Sequence, residues 1–545
     1  MTHPAEPRRV VFANCVVRPL ESAGESHEAI AVDGETIAFV GSLEDATSAV
    51  PGAEIVDLDG ATVLPGFTDS HTHFKRASGF LSLHIDFDQV EPHNIASVIA
   101  AVRARAEVEP AGKWIQGDGL EPTRLEEQRF PNRQELDQAS AGHPVVLRSV
   151  GRHVVAANSM ALAMAGIDAA TPDPAGGRIE RDVDGEPTGV LHEEAKLRLD
   201  ANRADTVIPP DSPKDRVTAL SRAVELLNRF GIVAIHEMPR DPDQISDWLR
   251  LREQEALRVR VRFYVRGLAA QTSVYDVLRT GLRSGFGDQW LKLGGVKFSI
   301  DGSGTFGNAM VYDPYPGQPD NLGLQRVETD EFIEAIRLSH EGGLQIAVHA
   351  IGQRAVDMAL EAFEAMAVTR TELAARRHRI EHAYLPSRPG QLERLRELGL
   401  VLSTQPSFIE AVGDAWRRVF ADDELTGIMP VATAMELGIP MQFNSDFPCS
   451  KLNPFVGVKA AILRETSSGH VLDSSQAIAV EDALRFMTHA PAHTAFEESW
   501  RGHLLLGYVA DLVVVDRDPL LTAPEDLDQI GVVRTIVGGE TVYSA

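Results

Sequence analysis

The most informative stretch of this chain is Gly66-Phe67-Thr68-Asp69-Ser70-His71-Thr72-His73. It follows the apolar run Ala61-Thr62-Val63-Leu64-Pro65, which predicts a buried strand. Because side chains alternate between the two faces of a strand, His71 and His73 are expected to point the same way. Two neutral imidazoles that converge at a strand end can supply half of a transition-metal site. Chance His-x-His pairs also occur on solvated surfaces, so this interpretation depends on partners elsewhere in the chain.

The composition is typical of a globular protein with an acidic surface. The chain has 545 residues, enough for two or three domains, and a formal net charge of −27. That charge argues against nucleic-acid binding, because an acidic surface repels phosphate. The two cysteines, Cys15 and Cys449, predict neither a disulfide framework nor a cysteine-based zinc site. The sequence has no signal-peptide core and no apolar run near the roughly 20 residues of a membrane span, so we expect a cytoplasmic protein without a membrane partner.

Strand-like runs separated by helical periodicity predict an α/β fold, a (β/α)8 TIM barrel. Helical spacing, for instance over residues 332–338, lies between several of the runs. Eight parallel strands are the number that closes such a barrel. The His-x-His strand is the first, and the other runs lie at residues 232–236, 259–265, 294–300, 344–349, 378–382, 400–404 and 440–446.

The two ends of the chain are predicted to form one small β-sandwich. Short strand-like runs fill the first 64 residues, similar runs occupy 510–515 and 532–537, and neither set alone buries an adequate face. The segment after the first barrel strand is too long for a loop and is expected to be an insertion or lid. The predicted parts are a composite β-sandwich of residues 1–64 plus 492–545, a catalytic barrel of 65–74 plus 206–491, and the insertion of 75–205.

Polar residues accompany the ends of several predicted barrel strands, where the catalytic groups of such barrels lie. These residues are Lys297, His349, His382 and Asp446. Taken singly, either histidine could be a hydrogen-bonded core residue, and Asp446 could cap a helix. Lys297 is harder to explain structurally, because an unpaired ammonium inside an apolar strand is costly. Their joint occurrence in register with the strand ends favours a metal site.

This ordered set resembles the amidohydrolase superfamily. Local motifs resemble its family 3, the YtcJ-like group that contains N-substituted formamide deformylases, in order and spacing over essentially the whole chain. In one motif, Gly151-Arg152-His153, this chain departs from the Asp-Gly-His of its relatives. The other motifs that carry the resemblance are Asn158-Ser159-Met160-Ala161-Leu162, Asp173-Pro174-Ala175-Gly176-Gly177, Glu186-Pro187-Thr188-Gly189, Lys297-Phe298-Ser299-Ile300-Asp301-Gly302-Ser303, Ala347-Val348-His349-Ala350-Ile351-Gly352, Arg379-Ile380-Glu381-His382-Ala383 and Ser445-Asp446.

The resemblance implies a binuclear metal centre with six ligands, His71, His73, Lys297, His349, His382 and Asp446. The first two histidines would bind one divalent ion and the other two the second. Lys297, carboxylated by CO2, would bridge both ions, and Asp446 would bind a metal and the attacking water. Zinc suits such mixed nitrogen and oxygen ligands best, with manganese, iron and cobalt as alternatives. Two such ions, about 3.5–4 Å apart, can hold a bridging hydroxide and polarise a carbonyl.

The implied activity is hydrolysis of a non-peptide carbon–nitrogen bond in a small molecule, such as an amide, N-substituted formamide, carbamate or cyclic amide. Asp446 would accept a proton from the water and return it to the leaving nitrogen. For Asp69, on the same strand face as His71, two interpretations are open: it orients a histidine, or it makes a simple turn hydrogen bond. His153 is a further catalytic and substrate-binding candidate. Additional substrate-contact candidates are Asp301, Arg148, Gln405 and His236.

Two other functions could use the same scaffold. The alternative enzyme is a mononuclear metal-dependent deaminase of an aromatic base, many of which show His-x-x-Glu after the fifth strand. Here His349 is followed by Ala350-Ile351-Gly352, and Lys297 is present, so both features favour the two-metal hydrolase. A catalytically inactive assembly protein would have lost ligands that this chain keeps. A small-molecule substrate is the expected partner, and a homodimer is the default oligomeric state.

Overall fold

The computed structural model describes residues 8–149, 154–199, 206–268 and 273–545. The chain divides into two compact units, one formed by Met1–Lys75 with Val224–Ala545 and one by Arg76–Ala223. The second unit therefore extends beyond residue 205, the predicted end of the insertion, into the helix Pro213–Arg229. Within the described ranges, no helix is long and apolar enough to cross a membrane.

Eight parallel strands form the central sheet of the first unit. The first and eighth strands meet where the Ser70 Oγ donates to the Phe443 carbonyl at 2.9 Å and the Asp446 N–H donates to the His71 carbonyl at 3.0 Å. The sheet is thus nearly closed, as a (β/α)8 barrel requires. Its strands, each paired with the one before it, are Phe67–Thr72, Ile232–Glu237, Arg260–Arg266, Leu291–Ser299, Gln345–Ala350, Arg379–His382, Val401–Thr404 and Met441–Phe443.

Helices follow most of the barrel strands. In the helix Gln353–Glu364, the buried side chains Val356, Leu360 and Phe363 recur at helical spacing, so one apolar face is covered. The other helices are Pro242–Glu253, Val274–Arg279, Thr329–Glu341, Arg370–Ala374, Gln391–Glu397, Ser407–Val419, Val431–Glu436, Pro454–Leu463, Val480–Arg485 and His489–Thr494, with 3₁₀ turns at Gly304–Phe306, Asp423–Leu425 and Ser474–Gln476.

Two smaller sheets contain residues from the two ends of the chain. One hydrophobic cluster joins their side chains, among them Phe12 and Ile30 from one sheet and Val63 and Leu512 from the other. The four-stranded sheet has the order Thr36–Gly41, Ala29–Asp33, Arg9–Ala13 and Glu54–Asp57, with the helix Leu43–Ala49 beside it. The five-stranded sheet has the order Val16–Val17, Thr62–Pro65, Leu512–Val515, Val532–Val537 and Glu540–Ser544, with a 3₁₀ turn at Pro524–Gln529.

The second unit has a mixed six-stranded sheet and hydrophobic clusters of its own, one of which contains Trp114. It is therefore a folded unit rather than a loop. Its strands lie in the order Gly177–Arg181, Pro187–Glu193, Val154–Ala157, Val145–Ser149, Ile115–Leu120 and Ile85–Asp86. Helices Phe74–Ser82 and Pro213–Arg229 cross its boundaries, and the others are Phe87–Val90, Ile95–Val108, Arg133–Asp137 and Ser159–Ala165, with 3₁₀ turns at Pro122–Arg124 and Glu194–Leu199.

Gly66 connects a terminal sheet to the first barrel strand, and the space around it leaves no room for a side chain. A Cβ at this position would lie 2.4 and 2.6 Å from the two methyl carbons of Val233, whose branched side chain is stiff. Gly66→Ala should therefore lower the free energy of unfolding by about 1–3 kcal/mol through overpacking, measured by thermal and urea denaturation. In a Val233→Ala background, which removes the two methyl carbons, the same substitution should cost less than it does in the wild type.

Gly79→Ala is the matched control, because a Cβ there meets no atom of the described residues within 4 Å and the residue lies inside the helix Phe74–Ser82. Alanine favours a helix over glycine, so this variant should be as stable as the wild type or more stable. Equal stability of Gly66→Ala and the wild type would show that the junction tolerates a side chain.

Candidate metal centre

Polar side chains at the C-terminal ends of the barrel strands meet in one buried cluster. Ligand atoms of His71, His382 and Asp446 lie within 4.8 Å of one another. The Nε2 atoms of His71 and His73 are 3.7 and 3.6 Å from the Asp446 Oδ1. The His71 Nε2 and the Asp446 Oδ1 are buried and have no hydrogen-bond partner among the described residues. The lone pairs of these two atoms face each other, and no proton donor of the described residues lies between them. A bound cation would accept both lone pairs.

Three imidazoles are oriented by oxygen acceptors behind them. The His71 Nδ1 is 2.6 Å from the Glu381 Oε2, the His73 Nδ1 is 3.1 Å from the Met238 carbonyl, and the His382 Nδ1 is 3.0 Å from the Gln405 Oε1. Because these acceptors each take a proton from Nδ1, the Nε2 atom of each ring keeps its lone pair. This tautomer is the one that a metal ligand needs.

His349 lies beside the cluster in a different orientation. Its ring centre is 4.4 Å from that of His382. Its Nε2, however, is 3.0 Å from the Gly302 carbonyl and 3.4 Å from the Asp301 Oδ1. Nε2 therefore carries the proton of this ring and Nδ1 the lone pair, opposite to the other three histidines.

Lys297 lies inside the barrel, only 2% exposed. Its ammonium forms no hydrogen bond or ion pair with any residue of the described ranges, although its neighbours include Glu381 and Asp446. Burial lowers the pKa of Lys297, and burial raises the pKa of Asp446. The sequence predicts a buried lysine that lacks an ion-pair partner, and Lys297 is buried in this way among the described residues.

Burial also keeps the histidines neutral. It is the main reason that the pKa values of His71, His73 and His349 lie well below the ordinary histidine range, and it lowers the pKa of His382 to about 4. The charge of nearby Lys297 acts in the same direction. Unprotonated imidazoles are therefore available as ligands at neutral pH.

Glu381 and Arg379 are positioning residues that the sequence reasoning did not assign. Glu381 is fully buried, and its Oε1 accepts from the Arg379 Nε at 2.6 Å while its Oε2 binds His71. Strand alternation would place Glu381 and His382 on opposite faces. His382, however, is the last residue of its strand and has a φ of +72°, so the chain turns and both side chains serve the same cluster. Both residues lie in the motif Arg379-Ile380-Glu381-His382-Ala383. The signal in the sequence was a pair of opposite charges, Arg379 and Glu381, within a predicted barrel strand.

The interpretation that Asp69 orients a histidine ring is wrong. Its carboxylate accepts from the Ser445 N–H at 3.1 Å and from the Ser445 hydroxyl, and its contact with His71 is to the backbone N–H. Asp69 therefore fixes the loop that carries Asp446. Burial raises the pKa of Asp69 to about 6.

Three of the substrate-contact candidates are fully buried and bonded to other residues of the barrel. The Asp301 carboxylate accepts from the backbone N–H groups of Met310, Ile351 and Gly352 at 2.9–3.1 Å. Gln405 lies between His382 and Asn444. His236 accepts a hydrogen bond from Arg379 at 2.9 Å through its Nδ1. Each of the three is thus hydrogen-bonded inside the barrel in this structure, and its contact with substrate stays a prediction.

The two remaining candidates belong to the second unit or lie outside the described residues. Arg148 is buried in the second unit, where its Nη2 donates to the Gln116 Oε1 at 2.7 Å and its Nη1 is 3.7 Å from the Asp118 carboxylate. His153 falls in 150–153, which the described ranges omit.

Comparison with known proteins identifies the family. The amidohydrolase family model matches residues 54–543, nearly the whole chain. The chain belongs to the amidohydrolase family. This amidohydrolase is 29% identical to the N-substituted formamide deformylase of Arthrobacter pascens over 98% of both chains. It is 28% identical to the YtcJ protein of Bacillus subtilis (strain 168), over 95% of this chain and 96% of the relative.

Solved structures agree with this family. An uncharacterized metal-dependent hydrolase from Pyrococcus horikoshii matches 95% of this amidohydrolase and 99% of its own chain, with 27% sequence identity and a TM-score of 0.74. The resemblance seen in the sequence motifs is therefore confirmed. The amidohydrolase is a hydrolase that acts on carbon–nitrogen bonds.

Glu381→Gln tests the orientation of His71. Glutamine keeps the size of the side chain but loses the negative charge that holds the Nδ1 proton, so metal affinity should fall about 10–100-fold. Metal content after dialysis against graded chelator concentrations, measured by inductively coupled plasma mass spectrometry, gives the affinity. Glu364→Gln, in a surface ion pair with Arg394, is the control and should bind metal as the wild type does. Unchanged metal affinity of Glu381→Gln would show that His71 needs no charged partner.

Proposed function

We propose that this amidohydrolase cleaves a non-peptide carbon–nitrogen bond of a small molecule, in an amide, N-substituted formamide, carbamate or cyclic amide. The observation that carries the proposal is the buried Asp446 carboxylate, whose Oδ1 faces the Nε2 atoms of His71 and His73. A carboxylate so placed can hold a proton beside a ligand cluster at the mouth of the barrel. The relative from Arthrobacter pascens supports formamides as members of the substrate class.

Divalent metal ions fit this donor set. The buried atoms His71 Nε2 and Asp446 Oδ1, which have no hydrogen-bond partner among the described residues, offer nitrogen and oxygen lone pairs with neutral imidazoles around them. We propose two ions, zinc first, with manganese, iron or cobalt as alternatives. When bound, such ions polarise the substrate carbonyl and make a water molecule more acidic. The residues that would hold them are His71, His73, Lys297, His349, His382 and Asp446.

Lys297 would serve as a ligand in its carboxylated form. A buried ammonium among these imidazoles would repel a divalent cation, and no described residue pairs with it. Attack of the neutral amine on CO2 forms a nitrogen–carbon bond and releases one proton, which leaves an anionic carbamate. The product offers two oxygen atoms where the ammonium offered none.

The chain's own residues would then carry the protons of the reaction. Asp446 accepts a proton from the attacking water while the oxygen of that water forms a bond to the substrate carbonyl carbon. Asp446 gives that proton to the nitrogen when the carbon–nitrogen bond breaks, so an open-chain amide or formamide gives a carboxylic acid and an amine. Glu381 holds His71 in place throughout, and Asp69 holds the loop of Asp446 through Ser445.

We further propose that the two terminal sheets form the composite β-sandwich of residues 1–64 plus 492–545, which their shared hydrophobic cluster supports. The lid function of residues 75–205 and the substrate contacts of Arg148 and His153 stay predictions from the sequence. The cytoplasmic location and the homodimer stay predictions as well.

Asp446→Asn tests the proton-transfer step. Asparagine keeps the shape of the side chain but cannot carry the proton, so kcat should fall about 10²–10⁴-fold. Turnover is measured on a panel of N-formyl, N-acyl, carbamate and cyclic-amide compounds, with release of ammonia from aromatic amines as the test of the deaminase alternative. Asp422→Asn, in an exposed ion pair with Arg417, is the control. Full turnover by Asp446→Asn would remove Asp446 from the mechanism.

Lys297→Ala tests the binuclear centre. The wild type should contain about two divalent ions per chain, and this variant should lose one or both together with nearly all turnover. Addition of propionate, which can place a carboxylate in the vacated space, should restore part of the metal content. Lys459→Ala, which loses a surface pair with Asp528, should keep both ions. Full metal content and activity in Lys297→Ala would exclude the bridging role and favour a single-ion enzyme.

A further inference from the structure

A second cluster of charged residues lies at the opposite end of the barrel, where the strands begin. Lys292 and Gln345 stand at the starts of the fourth and fifth strands, and Arg262 stands near the start of the third. These side chains, with Tyr264 and Arg376, line a cavity of about 290 Å³. The mechanism above does not use this cavity.

Positive charge at this cavity exceeds negative charge. Glu497 is fully buried and accepts from the Arg262 Nη2, the Lys292 Nζ and the Arg501 Nε, each at 2.6 Å. One carboxylate therefore faces three cations. Neighbouring Arg260 does not share it, because its guanidinium is paired with Asp511 at 2.7 and 3.0 Å. Among the described residues that line the cavity, none carries a carboxylate.

Buried donors of the same cluster lack acceptors. The Arg262 Nε and the Arg501 Nη2 are buried and have no hydrogen-bond partner in the described part of the chain. Arg262 is fully buried and Arg501 is 2% exposed, so these groups have lost their hydration. The Arg376 side chain is exposed and likewise forms no ion pair with a described residue. Buried charged donors without acceptors are costly. Arg262 lines the cavity and Arg501 does not, so an anion in the cavity would supply an acceptor to Arg262.

We infer that this cavity binds a small oxyanion, such as sulfate, phosphate or a short carboxylate, between Arg262, Lys292 and Arg376. Guanidinium groups present paired donors that match the oxygens of such anions, and the lysine adds a point charge. The cavity lies at the small end of the volumes of ligand pockets, which suits a small anion rather than a nucleotide. This inference does not depend on the proposed function.

A layer of side chains separates the anion cavity from the metal centre. Tyr264 lines the cavity, and its hydroxyl donates to the Gln345 Oε1 at 2.5 Å. The Arg379 guanidinium stacks on the other side of this layer, 4.6 Å from the centre of the Tyr264 ring, and binds Glu381. The cavity and the metal centre therefore share no ligand, and anion binding at the two places can be separated by mutation.

Equilibrium dialysis of radiolabelled sulfate against the metal-loaded enzyme, at constant ionic strength in chloride, tests the proposal. We expect saturable binding of one sulfate per chain at this cavity. Lys292→Met and Arg376→Gln should each weaken it about tenfold, since each removes a charged donor. Arg376 is exposed, so its variant should fold even where Lys292→Met does not. Lys459→Met removes a lysine paired with a carboxylate elsewhere in the same unit and should leave binding unchanged.

The outcomes separate the two sites and the sources of the anion. Sulfate binding that is lost in Asp446→Asn but kept in both cavity variants would place the anion at the metal centre and overturn the proposal. Absence of saturable binding to the wild type would overturn it too. Binding lost in the cavity variants supports it, with competition by acetate indicating a carboxylate ligand and competition by phosphate alone indicating an inorganic one. Because hydrolysis is not the readout, failure here leaves the proposed function intact.

Discussion

Glu381, held between Arg379 and His71, is the interaction on which the barrel interior and the metal centre both depend. Its carboxylate has no exposed surface, and each oxygen has a partner at 2.6 Å. Removing one member of such a buried pair typically costs about 3–5 kcal/mol, because the other charge is left without compensation. Arg379 also donates to the Ser70 carbonyl and to His236, so one guanidinium ties the first, second and sixth strands together. Metal binding and barrel packing thus rest on the same contacts.

Much of the barrel and of the cluster could be predicted because both follow simple rules. Parallel strands end at one mouth, so polar residues at strand ends converge there whatever their separation in sequence. Side chains alternate along a strand, so His71 and His73 were expected on one face. In the structure, the Nε2 atoms of both histidines lie near the Asp446 Oδ1. Lys297 was conspicuous because a charge in an apolar run contradicts the usual cost of burial.

The parts that the sequence did not reveal depend on local turns and on long-range pairing. Asp446 lies beyond the end of its strand, Met441–Phe443, with a φ of +50°, and its position depends on the Ser445–Asp69 bond and on the bond from its own N–H to the His71 carbonyl. Alternation fails at His382 for a similar reason, since the strand ends in a left-handed residue. The mixed sheet of the second unit has short strands whose order is set by tertiary packing, which single-sequence patterns do not encode.

The strand Thr62–Pro65 has a neighbour from the far end of the sequence. Leu512–Val515 pairs with it, and the Gly66 N–H donates to the Asp511 carbonyl at 2.9 Å, immediately before the strand that carries His71. On the ribosome, this early segment emerges long before its neighbour, so its edge stays open while most of the polypeptide is made. Contacts between such distant segments form late, because the intervening loop must close first. The support beneath the first histidines is therefore completed only after Leu512–Val515 has been made, and a nascent chain stalled before Leu512 lacks it.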